Sequence, residues 1–353
     1  MPKTRILEVN APAYNEDYLK EAARVIRNGG LVIIPTDTVY GIALDGTNPK
    51  AVERVYQLKQ RPAEKRLPFL VDKKEKIEEF ARGIPIAAYK LIEAFWPGPL
   101  TLVLNSKTEG TVGLRMPNNQ IVLKIIEFAG VPVACPSANI SGRKSPGNFE
   151  DAIKDFEGLL DMGLDAGDAA LGIESTVVDL TQGPLRMIRE GAIKEAQLSD
   201  LLARKTVLFV CTGNSCRSVM AEAMLKKRLQ EKNRQDVEVI SAGIMMFAGL
   251  RATDPTQEVL AREGIDVSGH RSQRITPQMI KRSDLILVME KIHEDKVLHL
   301  APEVKNRVFL LKEFAKIESN NMNIDDPIGR NLAFYEKTLE TIKDSVERIV
   351  NII

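Results

Sequence analysis

The chain has 353 residues, of which 44% are hydrophobic and 27% are charged, and its formal net charge is +1. This length predicts about two domains, the composition is ordinary for a soluble globular protein, and the charge argues neither for nor against a polyanionic partner. No apolar run approaches the ~20 residues of a membrane-spanning helix, so we expect no membrane partner.

Cysteine and histidine are scarce, with three cysteines (Cys135, Cys211 and Cys216) and three histidines. This scarcity argues against a disulfide framework and against a zinc site of clustered Cys and His, so we predict no metal held by the protein alone. The first residues, MPKTRILEVNAP, lack the apolar segment of a signal peptide. We therefore expect a cytoplasmic protein with reduced thiols.

The N-terminal part mixes helical and strand patterns. A helix is predicted to end at Arg27, before Gly29-Gly30, and to be followed by a short buried strand at 31–34. Further helices are predicted at 50–60 and 86–95, and further strands at 100–104, 176–180 and 185–188. Loops dense in Gly, Pro and Ser, at 97–99 and 136–147, are often functional.

From about Lys205 onward, strands and helices alternate. Apolar strands are predicted at 207–210, 237–241, 285–289 and 308–311, with helices beginning at Ser218, near Thr256 and at Asn331. Four such strands separated by helices predict a parallel, doubly wound sheet. We place the domain boundary at 195–205, which predicts domains of 1–195 and 205–353.

The segment CTGNSCRS (211–218) lies between a predicted strand and a predicted helix. Ligands bind at the carboxyl ends of parallel strands, and backbone N–H groups curling around a point at a helix N-terminus form an anion site. The spacing puts the Cys211 thiol at the base of that site and the Arg217 guanidinium on its rim. We expect the positive field to lower the pKa of Cys211 below ~8.5, which favours the thiolate.

Attack of a thiolate on a phosphoryl group needs a proton for the leaving atom and later a base for water. Asp326, followed by Pro327 in a turn before the last helix, is the candidate for both tasks. The segment therefore predicts a phosphatase with Cys211 as nucleophile, Arg217 as phosphate clamp and Asp326 as general acid. Gly213 and Asn214 tolerate the left-handed backbone that such a tight loop needs.

The motifs VCTGNSCRS (210–218), SAG (241–243), GHRS (269–272) and DP (326–327) resemble the low-molecular-weight protein phosphatases. The resemblance covers about the last 150 residues and implies a four-stranded parallel sheet of flavodoxin-like order. It implies that the loop residues Thr212, Gly213, Asn214, Ser215, Cys216 and Ser218 support the phosphate site, and that His270 packs behind it. Cys216 is either the family's redox-protective second cysteine or a buried small hydrophobe.

Two positions bear on the substrate of this half. Tyrosine-specific relatives carry a large aliphatic residue where this chain has Ser215, and an aromatic residue where it has Ile328. A small hydroxyl residue at the first position resembles the subgroup that acts on phosphoarginine in proteins. Phosphoarginine and phosphotyrosine both stay open as the phosphorylated residue of the protein substrate.

Basic and hydroxyl residues cluster at loop edges of the N-terminal half. Lys59, Arg61, Lys65 and Arg66 follow a predicted helix, and Thr111 and Arg115 are placed on either side of a turn. Together with the glycine- and hydroxyl-rich loop at 137–142, they are what a polyphosphate pocket requires. On composition alone, the favoured interpretation is that each of these charges is a solvated surface residue.

The N-terminal motifs resemble the threonylcarbamoyl-AMP synthase family: PTDTVYG (35–41), KQRP (59–62), FWPGPLT (95–101), RMP (115–117), PSANISG (136–142), EST (174–176) and REG (189–191). The resemblance spans about residues 10–195 and implies a twisted mixed sheet with helices. It also implies an enzyme that makes threonylcarbamoyl-AMP and pyrophosphate from L-threonine, bicarbonate and ATP with Mg²⁺, for tRNA modification. tRNA and the downstream threonylcarbamoyl transferase are then expected partners.

Carried over by position, the resemblance assigns two groups of binding residues. Those expected to contact threonine or the carbamate are Thr38, Arg115, Ser137 and Ser175. Those expected to face ATP are Lys59, Arg61, Lys65, Thr111, Asn139 and Arg189.

Two other interpretations stay open. The N-terminal half could instead be an RNA-binding module, whose affinity would fall steeply with salt. The C-terminal half could be a regulatory sensor without turnover, although the intact set of Cys211, Arg217 and Asp326 favours catalysis.

Overall fold

The computed structural model describes residues 4–9, 15–183 and 185–353. The chain divides into two compact units, one ending at Ser199 and the other beginning at Asp200. This division lies between the limits 195 and 205 that the sequence predicts for the boundary. No helix among the described residues has the length and apolar character needed to cross a bilayer.

The N-terminal unit is built on a mixed sheet. Its strands are β1 (Arg5–Glu8), β2 (Val32–Ile34), β3 (Gly41–Asp45), β4 (Pro68–Leu70), β5 (Leu100–Asn105), β6 (Thr111–Arg115), β7 (Val133–Ala134), β8 (Met162–Asp165), β9 (Thr176–Asp179) and β10 (Arg186–Arg189). Its helices are α1 (Glu16–Arg27), α2 (Pro49–Lys59), α3 (Ile77–Phe80), α4 (Ile86–Phe95), α5 (Gln120–Ala129) and α6 (Phe149–Lys154), followed by α7 (Glu195–Ala203) at the division. The strand order is β1-β8-β2-β3-β7-β4-β6-β5-β9-β10.

Alternation along β2 sends side chains to two separate cores. Val32 and Ile34 pack in a core that includes α1 and α5, whereas Ile33 packs in one that includes α2 and α6. A strand with both faces buried reads as a continuous apolar run, which is why this strand was predictable. The predicted helix before it is also confirmed: α1 begins after the N-cap Asn15 and is followed by Gly29 at φ 83°.

The C-terminal unit has a four-stranded sheet. Its strands are β11 (Lys205–Cys211), β12 (Val237–Gly243), β13 (Leu285–Val288) and β14 (Val308–Leu310). Its helices are α8 (Arg217–Glu231), α9 (Asp254–Arg262), α10 (Pro277–Arg282), α11 (Lys291–Leu300), α12 (Leu311–Phe314) and α13 (Leu332–Ile349). All pairings are parallel and the order is β12-β11-β13-β14, which confirms the predicted doubly wound sheet of flavodoxin-like order.

The central strand β11 delivers the cysteine to one face of this sheet. Val207, Phe209 and Cys211 belong to the core shared with α8 and α13, whereas Leu208 and Val210 belong to the core on the opposite face. Because side chains alternate along a strand, Cys211 leaves the sheet on the α8 side, where the next helix begins.

One local expectation for the N-terminal unit is wrong. Thr111 and Arg115 do not flank a turn; they are the first and last residues of β6. Val112 and Leu114 point into the interior between them, and β6 pairs with both β4 and β5. Such short strands depend on long-range partners, which a single sequence does not reveal.

Candidate functional sites

The strand β11 ends at Cys211 and α8 begins at Arg217, so the loop 212–216 lies at the carboxyl end of the central strand. The Asn214 backbone N–H donates to Cys211 Sγ at 3.3 Å, and Ser218 Oγ lies 3.0 Å from the same sulfur. Cys211 itself is only 2% exposed. The sulfur therefore lies at the floor of a concave loop, beside a helix N-terminus that favours an anion.

Asn214 holds this loop in shape. Its backbone is left-handed, with φ 51°, so of the two loop residues that tolerate this conformation Asn214 is the one that adopts it. The Asn214 amide donates to Ser218 Oγ at 2.9 Å and to Ser241 Oγ at 2.7 Å. His270 Nε2 donates to the Asn214 carbonyl at 2.8 Å, the supporting position that the resemblance implies for it.

Gly243, at the end of β12, is required by close approach. A Cβ at this position would lie 2.8 Å from the Thr212 carbonyl oxygen and 2.9 Å from the Asn214 nitrogen. Contacts this short to backbone atoms cannot relax by a side-chain rotation. Only glycine therefore allows β12 to end against the 212–216 loop.

The Arg217 guanidinium is 1% exposed and is held by four partners. Its Nη1 donates to Glu290 at 2.7 Å and to the Ile324 carbonyl at 2.8 Å. Its Nη2 donates to Thr212 Oγ1 at 3.0 Å and to Asp326 Oδ2 at 2.5 Å. The structure thus brings the predicted acid and the predicted clamp together, across 109 positions of sequence.

The low pKa expected for Cys211 is not found. Burial raises the pKa of the Cys211 thiol, and hydrogen bonding by Ser218, the Arg217 charge and the Asn214 N–H act in the opposite direction. The physical reason for the correction is the removal of the sulfur from solvent. Cys211 is 2% exposed, and the Ser218 and Asn214 hydrogen bonds and the Arg217 charge do not offset the cost of placing an anion there.

The remaining loop residues have local partners. Ser215 is buried at 7% exposure, and its carbonyl accepts from the Thr253 N–H at 3.1 Å. Cys216 Sγ is 3.4 Å from Thr253 Oγ1 and 3.8 Å from the Tyr335 hydroxyl. All three cysteines are free thiols. These contacts fit either reading of Cys216, so its redox role stays a prediction.

A cavity of about 630 Å³ lies in the N-terminal unit. Its wall contains all four residues predicted to contact threonine and four of the six predicted to face ATP: Thr38, Arg115, Ser137, Ser175, Arg61, Lys65, Thr111 and Arg189. These residues come from separate strands and loops and meet only in the folded unit.

Arg115 is 7% exposed and is fixed by three hydrogen bonds. Its Nε donates to the Gly98 carbonyl at 3.0 Å, Nη1 to Thr38 Oγ1 at 2.7 Å, and Nη2 to Asp37 Oδ1 at 2.5 Å. A guanidinium has five N–H donors. Two donors, one on each terminal nitrogen, therefore remain for a ligand in the cavity.

Two other arginines of the wall are held by backbone oxygens. Arg61 donates to the Lys65 carbonyl at 2.8 Å and to the Arg66 carbonyl at 2.8 Å. Arg189 donates to the Ser175 carbonyl at 3.0 and 2.9 Å and forms an ion pair with Glu174 at 2.9 Å. Burial lowers the pKa of both arginines.

Lys59 and Asn139, both predicted to face ATP, are not part of the cavity wall. Lys59 is 1% exposed, and its Nζ donates at 2.5 Å to the carbonyls of Ser137 and Asn139. Burial lowers the pKa of Lys59 to about 8, and the charge of Arg61 acts in the same direction. The Asn139 amide donates to the carbonyls of Ile140 and Arg143. Both side chains thus shape the loop behind the wall.

Sequence reasoning assigned no role to Asp37, Glu174 or Glu290. Asp37 is 5% exposed and holds Arg115, while Glu174 accepts from Ser145 Oγ at 2.5 Å and pairs with Arg189. Asp37 and Glu174 lie within motifs that the resemblance already singles out. Glu290 carries no local signal, since its contact with Arg217 spans 73 positions.

Two family models match the chain. The model described as telomere recombination, of the Sua5/YciO/YrdC family, matches residues 24–191, and that described as low molecular weight phosphotyrosine protein phosphatase matches residues 206–353. A threonylcarbamoyl-AMP synthase of Pyrococcus abyssi is 38% identical over 215 residues, which are 58% of this chain and 63% of the relative. The chain therefore spans less than two thirds of that relative.

The C-terminal unit also has a relative. A probable low molecular weight protein-tyrosine-phosphatase of Ralstonia nicotianae is 39% identical over 143 residues, which are 40% of this chain and 92% of the relative.

Among solved structures, P. abyssi Sua5 complexed with L-threonine is similar with a TM-score of 0.55 at 25% identity, covering 87% of this chain and 99% of that one. The chain therefore belongs to two families: the Sua5/YciO/YrdC family of threonylcarbamoyl-AMP synthases through its N-terminal unit, and the low-molecular-weight phosphotyrosine protein phosphatases through its C-terminal unit.

Proposed function

We propose that the chain is a bifunctional cytoplasmic enzyme. Its N-terminal unit makes L-threonylcarbamoyl adenylate and pyrophosphate from L-threonine, bicarbonate and ATP. Its C-terminal unit hydrolyses phosphorylated protein substrates through a cysteine nucleophile. The adenylate supplies a threonylcarbamoyl transferase that modifies adenosine next to the anticodon of tRNA.

The guanidinium of Arg115 is the main support for the first activity. Its two remaining N–H donors match the two oxygens of an amino-acid carboxylate, and Asp37, Thr38 and Gly98 hold it in orientation. The relative whose structure contains L-threonine supports threonine as the amino acid. Ser137 and Ser175 lie in the same wall and supply hydroxyl groups on the threonine and carbamate side.

Cations supply the nucleotide side of the cavity. Arg61, Lys65 and Arg189 line it, with Thr111 at the start of β6. They neutralise the triphosphate as a carbamate oxygen attacks the α-phosphorus and pyrophosphate leaves. Lys59 and Asn139 act on this site by holding the 136–142 loop.

Mg²⁺ accompanies ATP in this proposal. Two carboxylates, Glu64 and Glu174, line the cavity, and carboxylate oxygens are the protein ligands that Mg²⁺ prefers. Glu174 is already bonded to Ser145 and Arg189, so Glu64 is the residue that would hold the ion. When bound with the nucleotide, the ion would offset charge on the departing pyrophosphate.

Pyrophosphate release tests the synthase. ATP, Mg²⁺ and bicarbonate are supplied to the full chain with or without L-threonine, and adenylate formation is followed by mass spectrometry. We expect pyrophosphate and the threonylcarbamoyl adenylate only when threonine is present. Release that is independent of threonine, or no adenylate in the complete mixture, would refute the proposal.

The contacts of Arg217 define how the phosphatase would work. Its four terminal N–H groups are all engaged, and the Asp326 side chain, 33% exposed on the loop before α13, is the partner best placed to leave. A phosphoryl group taking that place releases the Asp326 carboxyl beside the leaving atom. Asp326, freed from the Arg217 charge, takes up the proton of the Cys211 thiol by way of the phosphoryl group. The thiolate then attacks phosphorus, the S–P bond forms as the bond from phosphorus to the leaving atom breaks, and Asp326 gives that proton to the leaving atom.

The phosphocysteine is then hydrolysed. Asp326, now a carboxylate, takes a proton from water as its oxygen attacks phosphorus, and inorganic phosphate leaves with the thiolate restored. Replacing Cys211 with Ser removes the nucleophile, and we expect it to abolish phosphate release. Wild-type protein that releases no phosphate from any phosphoprotein or aryl phosphate would instead support a sensor without turnover.

Ser215 is the residue that we expect to decide which phosphorylated amino acid the phosphatase prefers. Its small hydroxyl side chain favours phosphoarginine over phosphotyrosine, because it leaves room for a guanidinium and offers it a hydrogen bond. We expect kcat/KM of the wild type to be higher for phosphoarginine, and Ser215→Ile to reverse the ratio. A wild type that prefers phosphotyrosine would refute this substrate while leaving the phosphatase intact.

A further inference from the structure

A buried histidine stands next to the catalytic loop with no role so far assigned. His293 belongs to α11 and is 0% exposed. Its Nε2 lies 3.0 Å from Thr212 Oγ1, and its Nδ1 accepts from the Glu290 backbone N–H at 3.0 Å. Thr212 in turn accepts from Arg217 Nη2. A chain of hydrogen bonds thus runs from the start of α11 to the guanidinium.

These contacts define the protonation of the ring. Because Nδ1 accepts a hydrogen bond, a neutral imidazole must carry its proton on Nε2 and donate to Thr212. Burial lowers the pKa of His293 to about 4, and the positive charge of Arg217 acts in the same direction while Asp326 opposes it. The ring is therefore neutral at physiological pH and cannot serve as a general acid there.

The Thr212 hydroxyl has two lone pairs, and two donors point to them. Arg217 Nη2 and His293 Nε2 both lie at 3.0 Å. A hydroxyl that accepts twice has a defined orientation, whereas one that accepts once can rotate. The histidine therefore makes Thr212 a rigid acceptor for the guanidinium.

We propose that His293 and Thr212 are positioning residues that hold Arg217 ready for the phosphoryl group after Asp326 leaves. The proposal rests on the phosphatase activity proposed above. With Asp326 displaced, Thr212 is the partner that still holds Nη2, and Glu290 with Ile324 holds Nη1. Capping of α11 would need only the Nδ1 contact; the Nε2 contact is what links the histidine to catalysis.

Four variants test this assignment. Thr212→Val keeps the shape but removes the acceptor, and His293→Leu removes both ring contacts. His293→Gln retains a donor and an acceptor and serves as the conservative rescue. Thr338→Val removes a buried hydroxyl of α13 that donates to the Phe334 carbonyl. It is the matched control, since within the described part of the chain this hydroxyl bonds inside α13 and not to the 212–216 loop.

The readouts are kcat and KM for p-nitrophenyl phosphate, and inhibition by orthovanadate, which mimics the transferring phosphoryl group. Loss of orientation at a catalytic group costs about 10- to 100-fold in rate. We expect that loss in kcat/KM, and a parallel loss in vanadate affinity, for Thr212→Val and His293→Leu. His293→Gln should recover most of it, and Thr338→Val should match the wild type.

The double variant Thr212→Val/His293→Leu should be no worse than the poorer single variant, because both changes break one chain of contacts. Additive losses, or single variants with wild-type kcat/KM and vanadate affinity, would overturn the proposal. If the wild type itself turns over no substrate, the phosphatase proposal fails separately. Inorganic phosphate binding, measured by calorimetry, then decides the positioning role: it stands if Thr212→Val weakens binding and falls if binding is unchanged.

Discussion

Arg115 and Arg217 are both almost fully buried, and each is oriented by a carboxylate and a threonine hydroxyl. They differ in what remains for a ligand. Arg115 keeps one N–H on each terminal nitrogen, whereas both terminal nitrogens of Arg217 are fully engaged. In the proposed function, a carboxylate would therefore bind both terminal nitrogens of Arg115 directly. A phosphoryl group would bind a terminal nitrogen of Arg217 only after one of its partners leaves.

Removing the Asp37 carboxylate should leave the Arg115 guanidinium less firmly oriented. A hydrogen bond to a charged partner contributes about 1.5–3 kcal/mol, which corresponds to roughly a 10- to 100-fold effect. We expect Asp37→Ala to raise the KM for L-threonine by that factor while the KM for ATP changes less than about twofold. Asp37→Asn should have a smaller effect, because its amide oxygen still accepts. The measurement is pyrophosphate release at saturating ATP; equal rises in both KM values would contradict a role specific to Arg115.

His293 should make stability pH-dependent. Its folded-state pKa of about 4 lies below the ordinary 6.5, so the unfolded chain binds more protons between these values and stability falls as the pH drops through this window. The groups facing the ring are Glu290 at 3.7 Å, the Arg217 charge and Asp326.

Titration of His293 changes the free energy of unfolding by at most about 3 kcal/mol. Urea unfolding of the wild type and His293→Gln at pH 7.5 and pH 5 measures it. We expect the wild type to lose more stability than the variant on acidification, since glutamine does not titrate. Identical losses in the two proteins would show that His293 is not the titrating group.

At the scale of elements, each site is formed where a helix end meets loops. In the N-terminal unit, the last residue of α2 is Lys59, whose side chain donates to two carbonyls of the 136–142 loop and whose own carbonyl accepts from Ser141 N–H at 2.8 Å. In the C-terminal unit, the loop of the proposed phosphatase site is the connection from β11 to α8. The position of each loop depends on the core that packs against its flanking strand and helix.

The helix α13 supplies that packing in the C-terminal unit. Ile342 is 0% exposed in the core that also contains Phe209 and Met224. Truncating a buried isoleucine costs about 2–5 kcal/mol. We expect Ile342→Ala to lower the unfolding free energy of this unit by that amount while kcat below the transition stays near that of the wild type.

The matched control is Lys337→Ala, an exposed position on the same helix, expected to change stability by no more than about 0.5 kcal/mol. Urea unfolding followed by circular dichroism gives both values. An Ile342→Ala protein as stable as the control would mean that α13 does not contribute to the core as the structure indicates.

At the scale of the whole molecule, each unit contains every residue of its own proposed site. The cavity wall runs from Thr36 to Arg189, and the phosphatase residues run from Cys211 to Asp326. Because neither set borrows a residue from the other unit, the two activities should be separable by mutation.

We expect Arg61→Ala, and likewise Lys59→Ala, to reduce adenylate formation by more than about 100-fold while phosphatase turnover stays within a few-fold of the wild type. Cys211→Ser should abolish phosphatase turnover while adenylate formation stays within a few-fold of the wild type. The measurement is both assays on one preparation of each variant, with circular dichroism to show folding. A folded variant in which both activities fall together would refute independent sites.

Sequence alone determined the parts of this protein whose information is local. The apolar runs of the C-terminal half predicted its parallel sheet, and the 211–218 spacing placed a thiol and a guanidinium on either side of one loop, because strand, loop and helix are contiguous there. The motif resemblance likewise predicted eight residues that meet in the cavity wall.

Tertiary structure decided what depends on partners distant in the chain. Arg217 meets Glu290 and Asp326 from 73 and 109 positions away. Burial of the sulfur in the folded unit is why the pKa of Cys211 is raised and not lowered. Lys59 and Asn139 turn out to hold a loop, and Thr111 and Arg115 end a strand, because short strands and buried cations acquire their roles only from the neighbours that folding brings to them.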